Sequence, residues 1–348
     1  MNRVATTGLD VAKDVFQIHS IDADQKIVIT RALKRRQVLE EIDRLPPHRI
    51  GMEACGTAHF WARELAKLGH TVKLLPPRDV KGYLRRGKTD AADAEAICEA
   101  VTRARHKGVP VKTQDQQCAL IPHKLRESLL GQRTETINRL RSHLAELGLI
   151  AEVGAKGVEK LVALVSDASD ETLPPQARQP LQSLVRLLAA IDVEIAALDA
   201  QIRAAHKADA TSRRLDAVPS VGPITAHAVA TTVADPHAFA SGRAFAASLG
   251  LTPRLDGTGG KVTLGPITRA GNKYLRRLLY LGAVAQLAAA RRRPHKADPW
   301  LLRLLDEKPF KVAAIALANK TARIIWKLLV SGQDYQPGHR PALQAARA

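Results

Sequence analysis

RVATTGLDVAKDVFQIHSI, residues Arg3–Ile21, decides how the first third of the chain is read. Apolar and β-branched residues dominate Arg3–Leu9 and again Val15–Ile21, so the stretch reads as two strands with a hairpin-like return. Asp10 stands directly after the first of them, where a side chain passes from the core to the rim. Outward from here strands and helices alternate. Lys26–Arg31 reads as a third strand, and Lys34–Leu45 as a helix ended by Pro46 and Pro47. Arg49–Met52 reads as a short apolar strand with Glu53 at its end, and Ala58–Leu68 as a helix stopped by Gly69. Thr71–Leu75 reads as a strand ended by Pro76 and Pro77, and Asp90–Arg105 as the next helix. The order is βββαβαβα.

That last helix opens with KTDAADAEAI, residues Lys88–Ile97. Positions three apart share one helix face, so Asp90 and Asp93 can point the same way. Ordinary helix chemistry offers one account: Asp90 at or near the N-cap, with acidic residues offsetting the helix dipole. Asp10 and Glu53 offer another, because strand ends and a following helix face can converge on one point. Four converging carboxylates are costly unless metal ions neutralise them. A pair of magnesium ions about 3.5–4 Å apart does so, and polarises a phosphodiester for attack.

The rest of the chain supplies the opposite charge. Lys plus Arg number 53 and Asp plus Glu 34 among 348 residues, a formal balance of 53 − 34 = +19. From Arg269 onward 16 basic residues face 4 acidic ones. An excess of this size calls for a polyanion, for which nucleic acid is the common answer and an anionic membrane the rarer one. Cys55, Cys98 and Cys118 are odd in number and widely spaced, which fits neither a disulfide framework nor a zinc site and points to a reduced, cytoplasmic setting. MNRVATTGLD lacks the apolar run of a signal peptide, and LGAVAQLAAA is too short to span a membrane.

In the middle, Leu181, Leu184, Leu188, Ile191, Ile195, Leu198 and Ile202 form an a/d heptad seam. Ile137, Leu140, Leu144 and Leu147 repeat it more briefly, and Gly154, Gly157 and Leu173-Pro174-Pro175 lie between. Two helices joined by a linker fit this pattern, as an antiparallel or an intermolecular coil; a helix packed on its own domain is the plainer alternative. LDAVPSVGPITA, Leu215–Ala226, resembles a helix-hairpin-helix turning at Gly222, whose backbone amides can hold a DNA phosphate. An apolar helix over Phe239–Leu251, a glycine-rich segment and helices over Lys273–Ala290 and Lys311–Val330 follow. The expected fold is α/β plus all-α: residues 1–118 catalytic, 119–208 helical or coiled coil, 209–335 mostly helical, and 336–348 a basic tail.

Acidic residues after the first and fourth strands of a βββαβα order are the ribonuclease-H-like arrangement. LDVAK, MEACGT and KTDAADAEAI resemble the DEDD motifs of the insertion-sequence 110 family of transposases, whose N-terminal domain is similar to the junction resolvase RuvC. VPSVGPITA, FASGRAFAASLGLTPR, TGGKVTLGPITRAGNKYLRRLLY and KVAAIALANKTARIIWKLL resemble the family's C-terminal domain, in a form similar to the insertion sequence 1111 subgroup. The resemblance implies a recombinase acting on donor and target DNA. It implies guidance by a noncoding bridge RNA, a dimer of dimers joined by coiled coils, and Mg2+ held by Asp10, Glu53, Asp90 and Asp93. It also implies a hydroxyl nucleophile that forms a covalent protein–DNA ester conserving bond energy. Relatives carry serine at that position; here the matching residue is Thr258, flanked by Gly257, Gly259 and Gly260, with Ser248, Thr263 and Thr268 as further candidates. Lys261, Arg269, Lys273, Arg276 and Arg277 surround it in sequence and would clamp phosphates, while Arg291, Arg292 and Arg293 would make contacts independent of sequence. Aromatic residues make up only 3% of the chain, which argues against extensive base stacking. A junction nuclease using water would explain the carboxylates but leave the C-terminal half without a role. A nucleic-acid scaffold would explain charge and coil only.

Overall fold

The computed structural model describes residues 3–84, 89–103, 108–259 and 261–337. They fall into two compact units, Met1–Cys118 with Val233–Ala238, and Ala119–Thr232 with Phe239–Ala348.

The first unit is built on a five-stranded sheet. In chain order it holds β1 (Thr6–Asp10), β2 (Val15–Ile21), β3 (Ile27–Lys34), α1 (Val38–Asp43), β4 (Arg49–Glu53), α2 (Ala58–Lys67), β5 (Thr71–Leu75), α3 (Pro77–Lys81) and α4 (Asp90–Thr102). The strands are ordered β3-β2-β1-β4-β5, with β1, β4 and β5 parallel and β2 antiparallel to both its neighbours. Alternation assigns the faces. Leu9, Ile18, Ile50 and Met52 are fully buried with Val38, Ile42, Trp61 and Leu65 of α1 and α2. The opposite face carries α4, whose Ala96, Ile97, Ala100 and Val101 pack with Leu75 and Val80.

Several boundaries differ from the expected ones. β3 runs past Arg31 because Leu33 is buried and Lys34 still pairs with Val15. The helix expected from Lys34 therefore starts at Val38, after a turn of 3-10 helix over Arg35–Gln37. α3, unforeseen, uses Pro77 in its first turn, where a missing N–H is harmless.

The remaining elements are α5 (Gln114–Glu146), α6 (Ala155–Ser166), α7 (Pro175–Ala208), α8 (Ala210–Asp216), α9 (Pro223–Thr232), α10 (Gly242–Ser248), β6 (Pro253–Thr258), β7 (Lys261–Ile267), α11 (Lys273–Arg292), α12 (Pro299–Glu307) and α13 (Phe310–Ser331). The ion pairs Arg126–Asp199 and Arg133–Asp192 step forward along α5 and backward along α7, so these two helices are antiparallel. The expected linker contains a helix, α6, because Leu161 and Val165 bury against Leu140, Leu144 and Leu181. Of the heptad seam, Leu181, Leu188, Ile191 and Ile202 are buried within the single chain. The outcome favours packing inside one chain for these four positions; Leu184, Ile195 and Leu198 stay partly exposed.

α8 and α9 flank the turn foreseen at Gly222. Ser220 in that turn has φ +73°, and its carbonyl lies so close to α11 that a Cβ on Gly282 would stand 1.9 Å from it. α10 is shorter than the apolar run suggested. The glycine-rich segment is a β-hairpin: β6 and β7 pair antiparallel, Thr258 opposite Lys261, with Gly259 in the turn. Gly259 has φ +58°, a left-handed backbone that two-residue hairpin turns require. Two runs of alternating residues around Gly-Gly are a hairpin signal, which reading the segment only as glycine-rich passed over. Arg105, Gly260, the side chain of Thr258 and residues 338–348 of the expected tail lie outside the described residues. Among the described residues no helix is long and apolar enough to cross a membrane.

Candidate metal centre

β1 and β4 are parallel neighbours, with Leu9 opposite Met52 and Gly8 opposite Gly51. Asp10 and Glu53 follow in the same register and come to the same end of the sheet. Strand alternation puts Gly8 and Asp10 on one face, and Gly51 and Glu53 on that face too. It is the face that α4 covers. A Cβ on Gly8 would stand 2.1 Å from the Ala94 carbonyl oxygen and 2.5 Å from the Cys98 amide. One on Gly51 would stand 2.7 Å from Val101 Cβ. α4 therefore rests on bare backbone at both strands, and its first turn reaches the rim where the strand carboxylates end.

Thr89, not Asp90, caps α4: its hydroxyl accepts from the Ala92 amide. Asp90 and Asp93 are thus in the first turn and free of the capping task. One ligand oxygen from each of Asp10, Asp90 and Asp93 lies within 4.8 Å of the others. Glu53 does not close to that distance, yet its charge acts on Asp10. The Asp10 carboxyl is pushed up to about 6, by burial first and then by Asp93, Asp90 and Glu53, against a hydrogen bond from the Val11 amide. Three carboxylate oxygen donors, with Asp10 among them resisting ionisation, are a hard, underneutralised set, and a hard divalent cation fits them. The Cys98 thiol is not a ligand of this cluster. Cys98, beneath α4, is buried, held up at about 11 by desolvation, and placed with its Sγ 3.8 Å from the Thr6 carbonyl oxygen.

Sequence reasoning found the carboxylates but missed Gly8 and Gly51, which let α4 settle. Their signal is plain in retrospect: Gly8-Leu9-Asp10 and Gly51-Met52-Glu53 both put a glycine two residues before the acid.

In the second unit the candidate nucleophile Thr258 ends β6 at the hairpin turn, with Lys261 opening β7 across from it. Among the other hydroxyls, Ser248 donates to the Phe245 carbonyl, 2.7 Å away within its own helix, and Thr263 donates to Asp256 at 3.0 Å. Thr268 accepts from the Ala270 amide at 3.5 Å. Lys261, Arg269, Lys273 and Arg277 are exposed, and Arg269 has φ +55°. Arg276 differs: one guanidinium nitrogen donates to the carbonyls of Leu249 and Ala270, at 2.9 and 2.7 Å, tying the start of α11 to the end of α10. Arg291, Arg292 and Arg293 are exposed at the end of α11, and Arg291 lies over the Phe310 ring at 4.8 Å.

Comparison with known proteins bears on both units. A family of DEDD transposases of the IS110 kind, described as "Transposase", matches residues 7–148, and "Transposase IS116/IS110/IS902 family" matches residues 212–298. The chain is 45% identical over 332 residues to the "Probable family 20 transposase" of Pseudomonas aeruginosa, covering 95% of this chain and 98% of that protein. It is 36% identical over 338 residues to the "Transposase for insertion sequence element IS1111A" of Coxiella burnetii, covering 97% and 93%. Against the "Transposase for insertion sequence element IS1328" of Yersinia enterocolitica it is 33% identical over 332 residues, covering 95% and 98%.

Proposed function

Because the chain belongs to the IS110/IS116/IS902 family of transposases, we propose that it cuts and rejoins DNA strands through a carboxylate-held Mg2+ centre and a hydroxyl of its C-terminal unit. The observation that carries this reading is the convergence of Asp10, Asp90 and Asp93 within 4.8 Å at a rim where Asp10 resists ionisation. These three, with Glu53 beside them, would hold magnesium, which polarises the scissile phosphodiester and offsets the charge that develops on it. Thr258 would attack phosphorus through its hydroxyl. Its Oγ1 gains the bond to phosphorus and loses its proton to solvent, while the departing strand oxygen keeps the electrons of the broken ester and takes up a proton. The phosphate then remains esterified to the protein, ready for a second strand. Lys261, Arg269, Lys273 and Arg277 would neutralise the flanking phosphates, with Arg291, Arg292 and Arg293 adding contacts independent of sequence.

The kinship of the first unit with ribonuclease H and RuvC, guidance by a bridge RNA, and assembly as a dimer of dimers through coiled coils belong to the same proposal. So do action at the bacterial nucleoid and a division of labour at residues 118, 208 and 335. In the guided mode base pairing makes the sequence choice and the protein reads backbone and shape.

The test uses a labelled donor-end duplex, guide RNA and magnesium on a denaturing gel. Unmodified protein is expected to form a covalent adduct. Asp10→Asn and Asp93→Asn should reduce it at least ~10³-fold, on the scale of losing a main electrostatic contributor to catalysis. Thr258→Ala should abolish it and Thr258→Ser retain it. An adduct that survives Thr258→Ala moves the nucleophile to Ser248, Thr263 or Thr268. Cleavage by the unmodified protein with no adduct means that water attacks, as in a junction nuclease.

A further inference from the structure

The first unit carries a second feature at the same end of its sheet, on the α1/α2 side. Val15 opens β2, Lys34 closes β3 opposite it, and Arg35 and Arg36 follow. Together with Phe60 and Trp61 of α2 they line an open cleft of about 680 Å³. Its floor is apolar. Phe60 is 43% exposed and meets Trp61 edge to face at 5.4 Å, and Val15 is 45% exposed. Its rim is cationic: three basic side chains face one carboxylate, Asp14, and none of the three is in an ion pair among the described residues. Arg35 lies over the Trp61 ring at 5.1 Å and donates to the Lys13 carbonyl at 3.4 Å. The Trp61 indole N–H, 3% of the residue being exposed, is buried with no acceptor among the described residues.

The chain has only five Phe, three Trp and four Tyr, and all twelve are described. Phe60 alone among them is exposed. A folded surface gains nothing from leaving its single bare ring beside three uncompensated cations. An unpaired nucleotide uses both, since its base stacks on the ring and its phosphate pairs with Lys or Arg. Duplex DNA offers the charge but not the base face. The volume is in the range of small-ligand clefts and holds one nucleotide with room to spare. The place matters equally. Only β2 lies between β3 and β1, two spacings or roughly 10 Å at the usual strand separation, so a strand crossing the rim from Asp10 reaches the cleft within a nucleotide or two.

We propose that this cleft holds an unpaired nucleotide of the DNA strand that leaves the carboxylate centre, stacking its base on Phe60 and clamping its phosphate with Lys34 and Arg36. This rests on the reading of Asp10, Asp90 and Asp93 as the cutting centre. Holding one base out of the duplex there would keep the cut strand in place until it is rejoined.

Binding is measured on the full chain in EDTA, so that nothing is cut. The probes are a fluorescein-labelled dT12 oligonucleotide, a 12-base-pair duplex and the U12 RNA. Phe60→Ala should weaken dT12 binding about 5–150-fold, the range for losing one stacked base, and change duplex binding less than twofold. Phe60→Leu, which keeps the volume, should lose as much, and Phe60→Tyr should restore binding. Arg36→Gln should weaken dT12 binding and flatten its salt dependence. Melting curves check that each variant is folded. Equal losses on dT12 and duplex would overturn the proposal, as would no loss in Phe60→Leu, or a loss confined to U12. Normal dT12 binding by Phe60→Leu, with cutting still dependent on Asp10, sinks the cleft alone. Cutting that persists in Asp10→Asn sinks the metal reading, and with it the origin of the held strand; selective loss of dT12 binding in Phe60→Leu would then support only the stacking cleft.

Discussion

The sheet unit gathers its charged groups, and the helical unit spreads them. Asp10 and Glu53 are far apart in sequence, yet parallel pairing of β1 with β4 makes them neighbours at one rim, and the first turn of α4 adds Asp90 and Asp93. The cations proposed for the second unit are close in sequence, from Lys261 to Arg293, but share no such frame. Arg276 is committed to two backbone carbonyls, Arg291 lies over Phe310, and Lys261 stands on a hairpin. Register between strands builds a site from distant residues. Proximity along a helix only decorates a surface, which suits an electrostatic grip on a polyanion and not a reaction centre.

Two packing sites, the α7 seam and the α4 contact with the sheet, depend on side-chain volume in opposite ways, and this is the easiest part of the contrast to break. The helical unit depends on filling its seam. Leu188 is 4% exposed in the single chain, so Leu188→Ala should cost about 2–5 kcal/mol of folding stability, read by denaturant unfolding. A control at Val193, 67% exposed on the same helix, should leave stability within about 0.5 kcal/mol when changed to Ala. A seam that serves mainly between subunits would give the reverse pattern: little loss of chain stability from Leu188→Ala, and a fall in mass by light scattering.

The α4 contact with β1 and β4 depends on leaving volume empty at Gly8 and Gly51. Gly8→Ala would set a Cβ 2.1 Å from the Ala94 carbonyl oxygen, which cannot rotate away. α4 must move off the sheet, at about 1–3 kcal/mol for an overpacked contact, and Asp93 moves with it. The expected result is a loss of strand cutting well beyond what the loss of stability explains. If Gly8→Ala cuts at the normal rate, the close approach of α4 is not what assembles the carboxylates.

How much of this was legible in the sequence follows the same divide. Strand ends and helix starts are marked by local signals such as Pro46-Pro47, Gly69 and Thr89-Asp90, so the four carboxylates and their elements could be named from the chain. The end of β3 could not, because Ala32, Leu33 and Lys34 join it only through pairing with Gln17, Phe16 and Val15 of β2, which no signal inside the segment itself marks. Gly8 and Gly51 read as ordinary strand glycines until α4 is seen against them. α6 was hidden by its flanking Gly154 and Pro174, which look like linker and act as helix boundaries. α12 was hidden by its length. The family resemblance supplied Thr258 and the cations around it; no local physics singled out that hydroxyl from Thr263 or Thr268.

The smallest expected effect separates the units by acid and base. Asp10 has its carboxyl raised from an ordinary 3.8 to about 6. A raised carboxylate binds protons more tightly in the folded state, so its favourable contribution is complete below the unfolded value and is lost as pH rises through about 6. Removing the charge should therefore help above that pH. In EDTA, Asp10→Asn should melt higher than the unmodified protein at pH 7.5 by about 1 kcal/mol, a figure discounted for the partial exposure of the group, and the gap should close by pH 4. His123 in the helical unit runs the other way. Its ring is lowered to about 4 by burial, then by His227 and Arg126, while its nitrogens lie 2.8 Å from His227 Nδ1 and 3.0 Å from the Tyr274 hydroxyl. Neutrality is built in, so that contribution is present above pH 6.5 and is lost as pH falls through about 4. His123→Gln should cost stability at pH 7.5 and cost progressively less toward pH 4.5. Comparing each variant with the unmodified protein at the same pH cancels the other titrating groups. Magnesium should then stabilise the unmodified protein more than Asp10→Asn, because only the former presents the full set of carboxylates. Equal stabilisation of both, or an Asp10→Asn gap that widens as pH falls, would mean that Asp10 is not held among repelling charges and that the rim is not built around a cation.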